Sequence, residues 1–453
     1  MKRTNARPPL SVTADGKGIA AHAGTRLLAE TAEVTGLCDA LSLAMGPTRR
    51  RRRRHDPGRV LLDVALTLAD GGDCLSDLAV LRDQPSLFGS VASTPTAFRA
   101  IDSVDADRLG AIRRARATAR ARAWELGLDP VRSSGPLILD FDSTLLHLHS
   151  EKHGAGPTYK GGFGFSPLAC FADATNEALA MLLRPGNASA HSGDDHVAVL
   201  DLALAQLPVK PRGLDPVDGV AMLARADAGG MSHTFIDALV ERGMEFSITA
   251  ELRQPFRLAI LALSPEDWTE AITADGDIRE GAQVAELTAH MDLSHWPVDT
   301  RAIVRREEPH PGAQFRLFDP EGWRHQVFIT NSADADITYL EARHRGHARV
   351  EDRIRCAKDS GLRNLPFIDF DNNACWVELV CLAQDIVAFT QGLALSGEMA
   401  SAEPKRLRYA LLHSAGRVTT TARTTTLHLQ REWPWAPQLV AAFQRLRSLP
   451  LLR

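Results

Sequence analysis

Residues 137–148 read LILDFDSTLLHL, an apolar run carrying two aspartates two positions apart. Side chains alternate across a strand, so Asp140 and Asp142 project from one face, and the run is apolar enough for the centre of a sheet. Outward from it, FGFSPLACFADA (163–174) reads as a second strand. ALAMLLRP (178–185) reads as a third, ended by Pro185-Gly186-Asn187. A helix follows at 196–207, a short strand at 219–227, a helix at 233–243 and a strand at 244–252. The order is β-β-β-α-β-α-β. Three antiparallel strands joined by short turns, then right-handed crossovers, predict an α/β architecture in which helices cover a mixed sheet.

That element order is the one found in the RNase H-like fold. The chain then divides into a helical, basic N-terminal unit at 1–132, the first part of the core at 133–252 and a β-rich insertion at 253–335. Final core helices at 336–395 and a C-terminal hairpin and helix at 396–453 complete it. In the first unit, residues 20–47 and 57–126 carry helical periodicity, and Arg113, Arg116 and Arg120 are spaced to share a face. That spacing predicts a basic surface suited to binding DNA ends.

With 44% hydrophobic and 24% charged residues the chain reads as globular. No apolar run approaches the roughly 20 residues of a membrane span. The basic N-terminus lacks the apolar stretch of a secretory signal. The expectation is a cytoplasmic, nucleoid-associated protein. Six scattered cysteines (38, 74, 170, 356, 375 and 381) form no CxxC pair, which argues against a zinc ribbon or disulfide framework. The net charge of −4 hides an asymmetry: residues 1–132 hold 21 Lys and Arg against 15 Asp and Glu, leaving 31 against 41 for the remainder. Within the basic part stand six consecutive arginines, Arg49, Arg50, Arg51, Arg52, Arg53 and Arg54. Such a run repels itself and must be exposed, either as a solvated linker or as a phosphate-binding arm.

Three acids carry the chemistry. Asp142 lies on the first strand and Asp227 ends the fourth, where ligands of α/β sheets gather. Glu351 lies on the helix after the insertion, in one stripe with His344, His347, Arg355 and Lys358. Two aspartates and a glutamate on one face make a hard oxygen site for Mg2+, with Mn2+ able to substitute. Two such ions would serve in-line phosphoryl displacement.

LDFDSTLLHL, GPTYKGGFGFSPLACF and LLRPGN together resemble the first catalytic block of insertion-sequence DDE transposases, particularly the 1380-type branch. ARADAGG resembles the second block, and HRGHARVEDRIRCAK is similar to the Y-(2)-R-(3)-E-(6)-K signature of the wider superfamily. The resemblance spans about residue 20 to the end. It implies Asp142, Asp227 and Glu351 as the catalytic, metal-holding triad, with Asp140 as a secondary candidate beside the preferred Asp142. It places Lys358 at the signature lysine, with Arg355, His347 and His344 as companion DNA contacts. His344 and His347 depart from the signature Tyr and Arg. Also implied are cut-and-paste cleavage at the element's ends and strand transfer into target DNA, through a hairpin intermediate. The partners implied are the terminal inverted repeats and target DNA, in a homodimeric complex. Trp296 or Trp323 could stack on a flipped base, although a core tryptophan is the plainer reading.

Two other readings stand beside this one. LDFDSTLL also fits a haloacid-dehalogenase-type phosphatase, with Asp140 as nucleophile, Asp142 as acid and SGDDHVAVLD imitating its metal motif. Against it, a polar stretch, NASAHS, precedes that GDD where a buried strand is required. The two histidine departures are the support for a decayed, DNA-binding relative.

Overall fold

The computed structural model describes residues 10–46, 55–132, 135–148, 151–158, 160–309, 322–422 and 424–450. The arginine run at 49–54 lies outside them.

Helices α1 (Arg26–Val34), α2 (Leu37–Met45), α3 (Pro57–Ala69), α4 (Thr94–Asp102) and α5 (Ala106–Glu125) open the chain. Asp56 caps α3 ahead of Pro57, and Asp105 caps α5 through the Arg108 backbone N–H at 2.9 Å. The sheet comprises β1 (Leu137–Ser143), β2 (Leu168–Ala172), β3 (Ala178–Leu182), β4 (Met222–Ala226), β5 (Glu245–Ala250), β6 (Thr269–Ile272), β7 (Ile278–Glu286), β8 (Arg301–Glu307) and β9 (Arg324–Thr330). Among the described residues these nine strands lie in the order β6-β7-β8-β9-β5-β4-β1-β2-β3. β1 runs antiparallel to β2 and parallel to β4, and β5 runs parallel to β4. Helices α6 (Gly193–Leu204) and α7 (His233–Glu241) make the two crossovers.

Two details differ from the sequence expectation. The link from β1 to β2 is no short turn but holds a small separate sheet of Leu146–His147, Gly156–Pro157 and Phe163–Phe165. The predicted strand 163–174 divides at Pro167, which has no N–H to give a ladder. Phe163–Phe165 then pairs with Leu146–His147, while β2 pairs with β1. Gly164 is obligatory there, because a Cβ would sit 1.8 Å from the Leu146 carbonyl oxygen. Further on, helix α8 (Gln254–Leu261) precedes β6–β9, which extend the sheet because β9 pairs antiparallel with β5.

Leu137, Leu139 and Phe141 of β1 pack with α6, α7 and α8 on one face. The opposite face meets α10 (Arg349–Ala357) and α11 (Phe370–Ala394), joined to α10's predecessor α9 (Ile337–Arg345) by the turn Gly346–Ala348. α11 is long and apolar enough to cross a membrane, yet 78% of its most apolar window is buried inside the protein. It is apolar on nearly all sides and needs cover on all of them. The sheet covers one side and α2–α5 much of the rest, so the N-terminal helices share a single core with α11. A hairpin of Gly416–Thr421 and Thr424–Leu429, flanked by Ile19–Ala20, and helix α12 (Ala436–Ser448) complete the chain.

Candidate active site

On the parallel pair β1 and β4, Asp140 stands opposite Arg225 and Phe141 opposite Ala226. The next rung of that register sets Asp142 beside Asp227, which continues from β4 with extended backbone. Alternation turns all four polar residues to the α10 face. Two adjacent rungs thus carry opposite electrostatics.

The first rung is neutralised. Arg225 donates Nε and Nη2 to the two Asp140 oxygens at 2.7 and 2.8 Å. Arg353, from α10, donates to Oδ2 at 2.7 Å, and His347 Nδ1 lies 3.1 Å from Oδ1. Burial pushes the Asp140 carboxyl up, but His347 and Arg225 override it and hold the group well below the usual carboxylate range. Asp173, on the β2–β3 turn, gathers Arg349 at 2.5 Å, Arg353 at 2.5 Å and Arg225 at 3.2 Å.

The second rung lacks such partners. Burial, then the charge of Asp227 and more weakly that of Glu351, push the Asp142 carboxyl up to about 7, against partial relief from His347 and a Ser143 backbone hydrogen bond. Asp227 Oδ1 accepts the Gly229 N–H at 2.9 Å. Among the described residues neither Asp142 nor Glu351 hydrogen-bonds a cationic side chain. Three hard oxygen donors, with no cationic side chain hydrogen-bonded to them among the described residues, fit a divalent Mg2+ or Mn2+ ion. Their ligand atoms do not all fall within 4.8 Å of one another, a spacing that two other groups reach.

The remaining predicted residues separate. Lys358, half-buried at the start of a π-helical turn, lies close enough to Asp142 for that carboxylate to oppose the lowering of its pKa, which burial and then Arg363 cause. His347 holds Asp140, as above. Arg355 turns outward to Asp352 and Glu403 at 2.8 and 2.6 Å. His344 is a correction to the expected DNA contact: it is buried, stacked 4.3 Å from Phe328 and hydrogen-bonded to Ser247 and Thr249. The 3-10 stretch Gly346–Ala348 changes the helical period between α9 and α10, and with His344 facing the sheet and Arg355 facing outward the expected single stripe does not form. Arg113, Arg116 and Arg120 need a second correction. Arg116 and Arg120 are fully buried against acids, and Arg113 Nε lies 2.8 Å from Glu378, so this face offers DNA no basic surface. Trp296 stacks on His233 at 4.1 Å, and the Arg306 guanidinium lies over Trp323 at 4.9 Å. Gly193-Asp194-Asp195 opens α6 behind the Ser192 cap instead of ending a strand.

Arg225, Arg353, Arg349 and Asp173 escaped the sequence reading. Arg225 was findable: in ARAD it stands two residues before Asp227, as Asp140 does before Asp142.

A pH dependence follows from the acidic rung. An unfolded aspartate titrates near 3.9, so between about pH 4 and pH 7 the native state holds a proton the unfolded chain has released. Stability is therefore lost as pH rises through that window. Asp142→Asn is expected to raise the Tm of metal-free protein at pH 8 by several degrees, at most about 4 kcal/mol. The gain should vanish towards pH 4. Thermal melts in EDTA check this, and an equal gain at both pH values would refute it.

The family model described as transposase DDE domain group 1 matches residues 2–451. No curated protein matches the chain. Among solved structures it is similar to a piggyBac transposase synaptic complex with hairpin DNA, at 12% identity and a TM-score of 0.42, over 87% of this chain and 80% of that one.

Proposed function

The chain belongs to the DDE transposase family, whose members cleave DNA and transfer its strands, and from that premise we propose that Asp142, Asp227 and Glu351 are its catalytic carboxylates. The observation that carries this reading is the unneutralised rung of Asp142 and Asp227 beside Glu351, one step from a rung saturated with cations. We read the strands β3-β2-β1-β4-β5 as an RNase H-like core, with β6–β9 inserted before the helix that bears Glu351. The three carboxylates would hold two Mg2+ ions about 3.5–4 Å apart, for which Mn2+ could substitute. When bound, such ions supply activation of the attacking hydroxyl and stabilisation of the leaving oxygen.

The protein's own groups divide the remaining work. Arg225 and Arg353 clamp Asp140, which fixes β1, β4 and α10 in register and so aims Asp142 and Glu351 at one place. Lys358 lies beside Asp142 and would contact a phosphate of the scissile strand. The substrates are the terminal inverted repeats of the element and target DNA, acted on by cut-and-paste in a homodimeric complex.

Linear DNA carrying the element's own ends, with Mg2+ or Mn2+, tests this directly. Cleavage at the ends is expected. Binding without cleavage in either metal would instead establish the decayed relative. Hydrolysis of a small phosphate ester dependent on Asp140 would establish the phosphatase, although both Asp140 oxygens are already engaged by cations.

Replacing Arg49 to Arg54 by alanine is expected to weaken binding to all DNA alike and to flatten its salt dependence by about 0.9 per lost phosphate contact. Binding titrations across salt concentrations read both effects. Loss confined to one sequence would overturn the role.

A further inference from the structure

A second group of metal-ligating side chains lies among elements that the acidic site does not use. Asp70 caps the end of α3, His22 stands before α1, and His413 follows a π-helical turn near the C-terminus. Their ligand atoms all lie within 4.8 Å of one another. His22 Nδ1 is 2.6 Å from Asp70 Oδ2, and His413 Nε2 is 3.3 Å from Asp70 Oδ1. We propose that His22, Asp70 and His413 form a site for a borderline divalent transition-metal ion, with Zn2+ the best fit.

Two imidazoles and a carboxylate are the donor set of a three-ligand zinc site that keeps its fourth position for water. The mixed nitrogen and oxygen donors favour Zn2+, Co2+ or Ni2+ over the hard ions suited to the acidic rung. Donors of a tetrahedral ion with bonds of about 2.0–2.1 Å sit about 3.3 Å apart. The His413–Asp70 separation already matches, and the His22 ring needs to withdraw by less than about 1 Å. That ring can move, being 28% exposed, while the Asp70 side chain is only 3% exposed and anchors the group. Thr25 Oγ1 donates to Asp70 Oδ1 at 2.5 Å and orients the carboxylate from behind, as partners of ligating groups do. The fourth position faces solvent beside His413, whose side chain is 37% exposed. On binding, the ion replaces the proton between His22 Nδ1 and Asp70 Oδ2, which passes to solvent, and His413 Nε2 gives up the hydrogen bond it donates to the Asp70 backbone carbonyl at 2.9 Å, its proton being exchanged through solvent to Nδ1. The second compact group, Asp73, Cys74 and Asp77, carries no such inference, because the Asp77 carboxylate is spent on the backbone N–H groups of Asp73 and Cys74.

An ion there would tie three distant parts of the chain together: the segment before α1, the end of α3 and the turn before the C-terminal hairpin. The same junction is bridged by the Ala23 N–H donating to the Ser414 carbonyl at 2.9 Å and by the pairing of Ile19–Ala20 with the hairpin.

The test uses full-length protein carrying Asp142→Asn, Asp227→Asn and Glu351→Gln, so that the acidic rung contributes no metal. After EDTA treatment and dialysis against Zn2+, one ion per chain is expected by elemental analysis, with a Tm raised by several degrees. Adding His22→Gln and His413→Gln should weaken binding at least tenfold and remove the Tm gain. Co2+ in the first protein should give the visible bands of a tetrahedral ion without a thiolate band, a readout independent of how well the histidine variants fold. Equal zinc content with and without the histidines, or octahedral Co2+ spectra, would overturn the site.

Discussion

Asp142→Asn, Asp227→Asn and Glu351→Gln are each expected to lower cleavage of DNA ends by at least about a thousandfold, roughly 4 kcal/mol of barrier, while DNA binding persists. These substitutions keep volume and hydrogen-bonding capacity but remove the charge a divalent ion requires. Binding should survive because neutralising an acid weakens no contact to phosphate. Folding should survive as well, since Asp142 and Glu351 hold no ion pair whose loss would strand a buried charge. Asp140→Asn is the informative contrast. It leaves Arg225 and Arg353, buried to 1% and 5% exposure, short of a counter-charge, at a cost of about 3–5 kcal/mol of stability. Its signature is therefore a lowered Tm, whereas the triad variants lose cleavage with the Tm kept or raised. Assays pairing strand cleavage with thermal melts separate the two. Cleavage that survives Glu351→Gln would remove that residue from the site.

The contrast shows how far the sequence carries. Asp140 and Asp142 were legible as a same-face pair because strand alternation is local and needs no partner to be read. Alternation alone does not say which of the two lacks cationic partners; the preference for Asp142 comes from the resemblance, and the physical difference lies in Arg225, 85 residues on from Asp140, and Arg353, 213 residues on. The β-β-β-α-β-α-β order was legible because each element announces itself within a dozen residues. The break at Pro167 was also written there, but the apolar residues on either side masked it. His344 shows a different limit. Helical spacing from His344 to Lys358 holds only while the 3.6-residue period does, and the 3-10 stretch at Gly346–Ala348 changes that period. The arginines of α5 show a third. Periodicity establishes that residues share a face, and nothing local says what the face meets.

What that face meets sets the second large effect. Arg120 donates to Glu177 at 2.8 Å, to Asp385 at 2.7 Å and to Gln206 at 2.7 Å. Arg116 donates to Asp385 at 2.8 Å and also to Glu378 and the Ala178 carbonyl. With Arg113 on Glu378, three cations balance Glu177, Glu378 and Asp385, and the cluster is neutral as a whole. It joins α5, the start of β3 and the middle of α11, so it welds the N-terminal helices to the sheet that carries Asp142. Arg120→Met is expected to cost about 3–5 kcal/mol, because it strands Glu177 in the core and removes one of the two cations on Asp385. Adding Glu177→Gln should restore part of that loss, with a coupling on the order of 1–3 kcal/mol in a double-mutant cycle. Chemical denaturation measures both. DNA affinity of the folded single variant should stay unchanged, since Arg120 is 0% exposed and reaches no phosphate. The opposite result, unchanged stability with weakened DNA binding, would return this face to the DNA and would mean that α5 turns outward when the ends are bound.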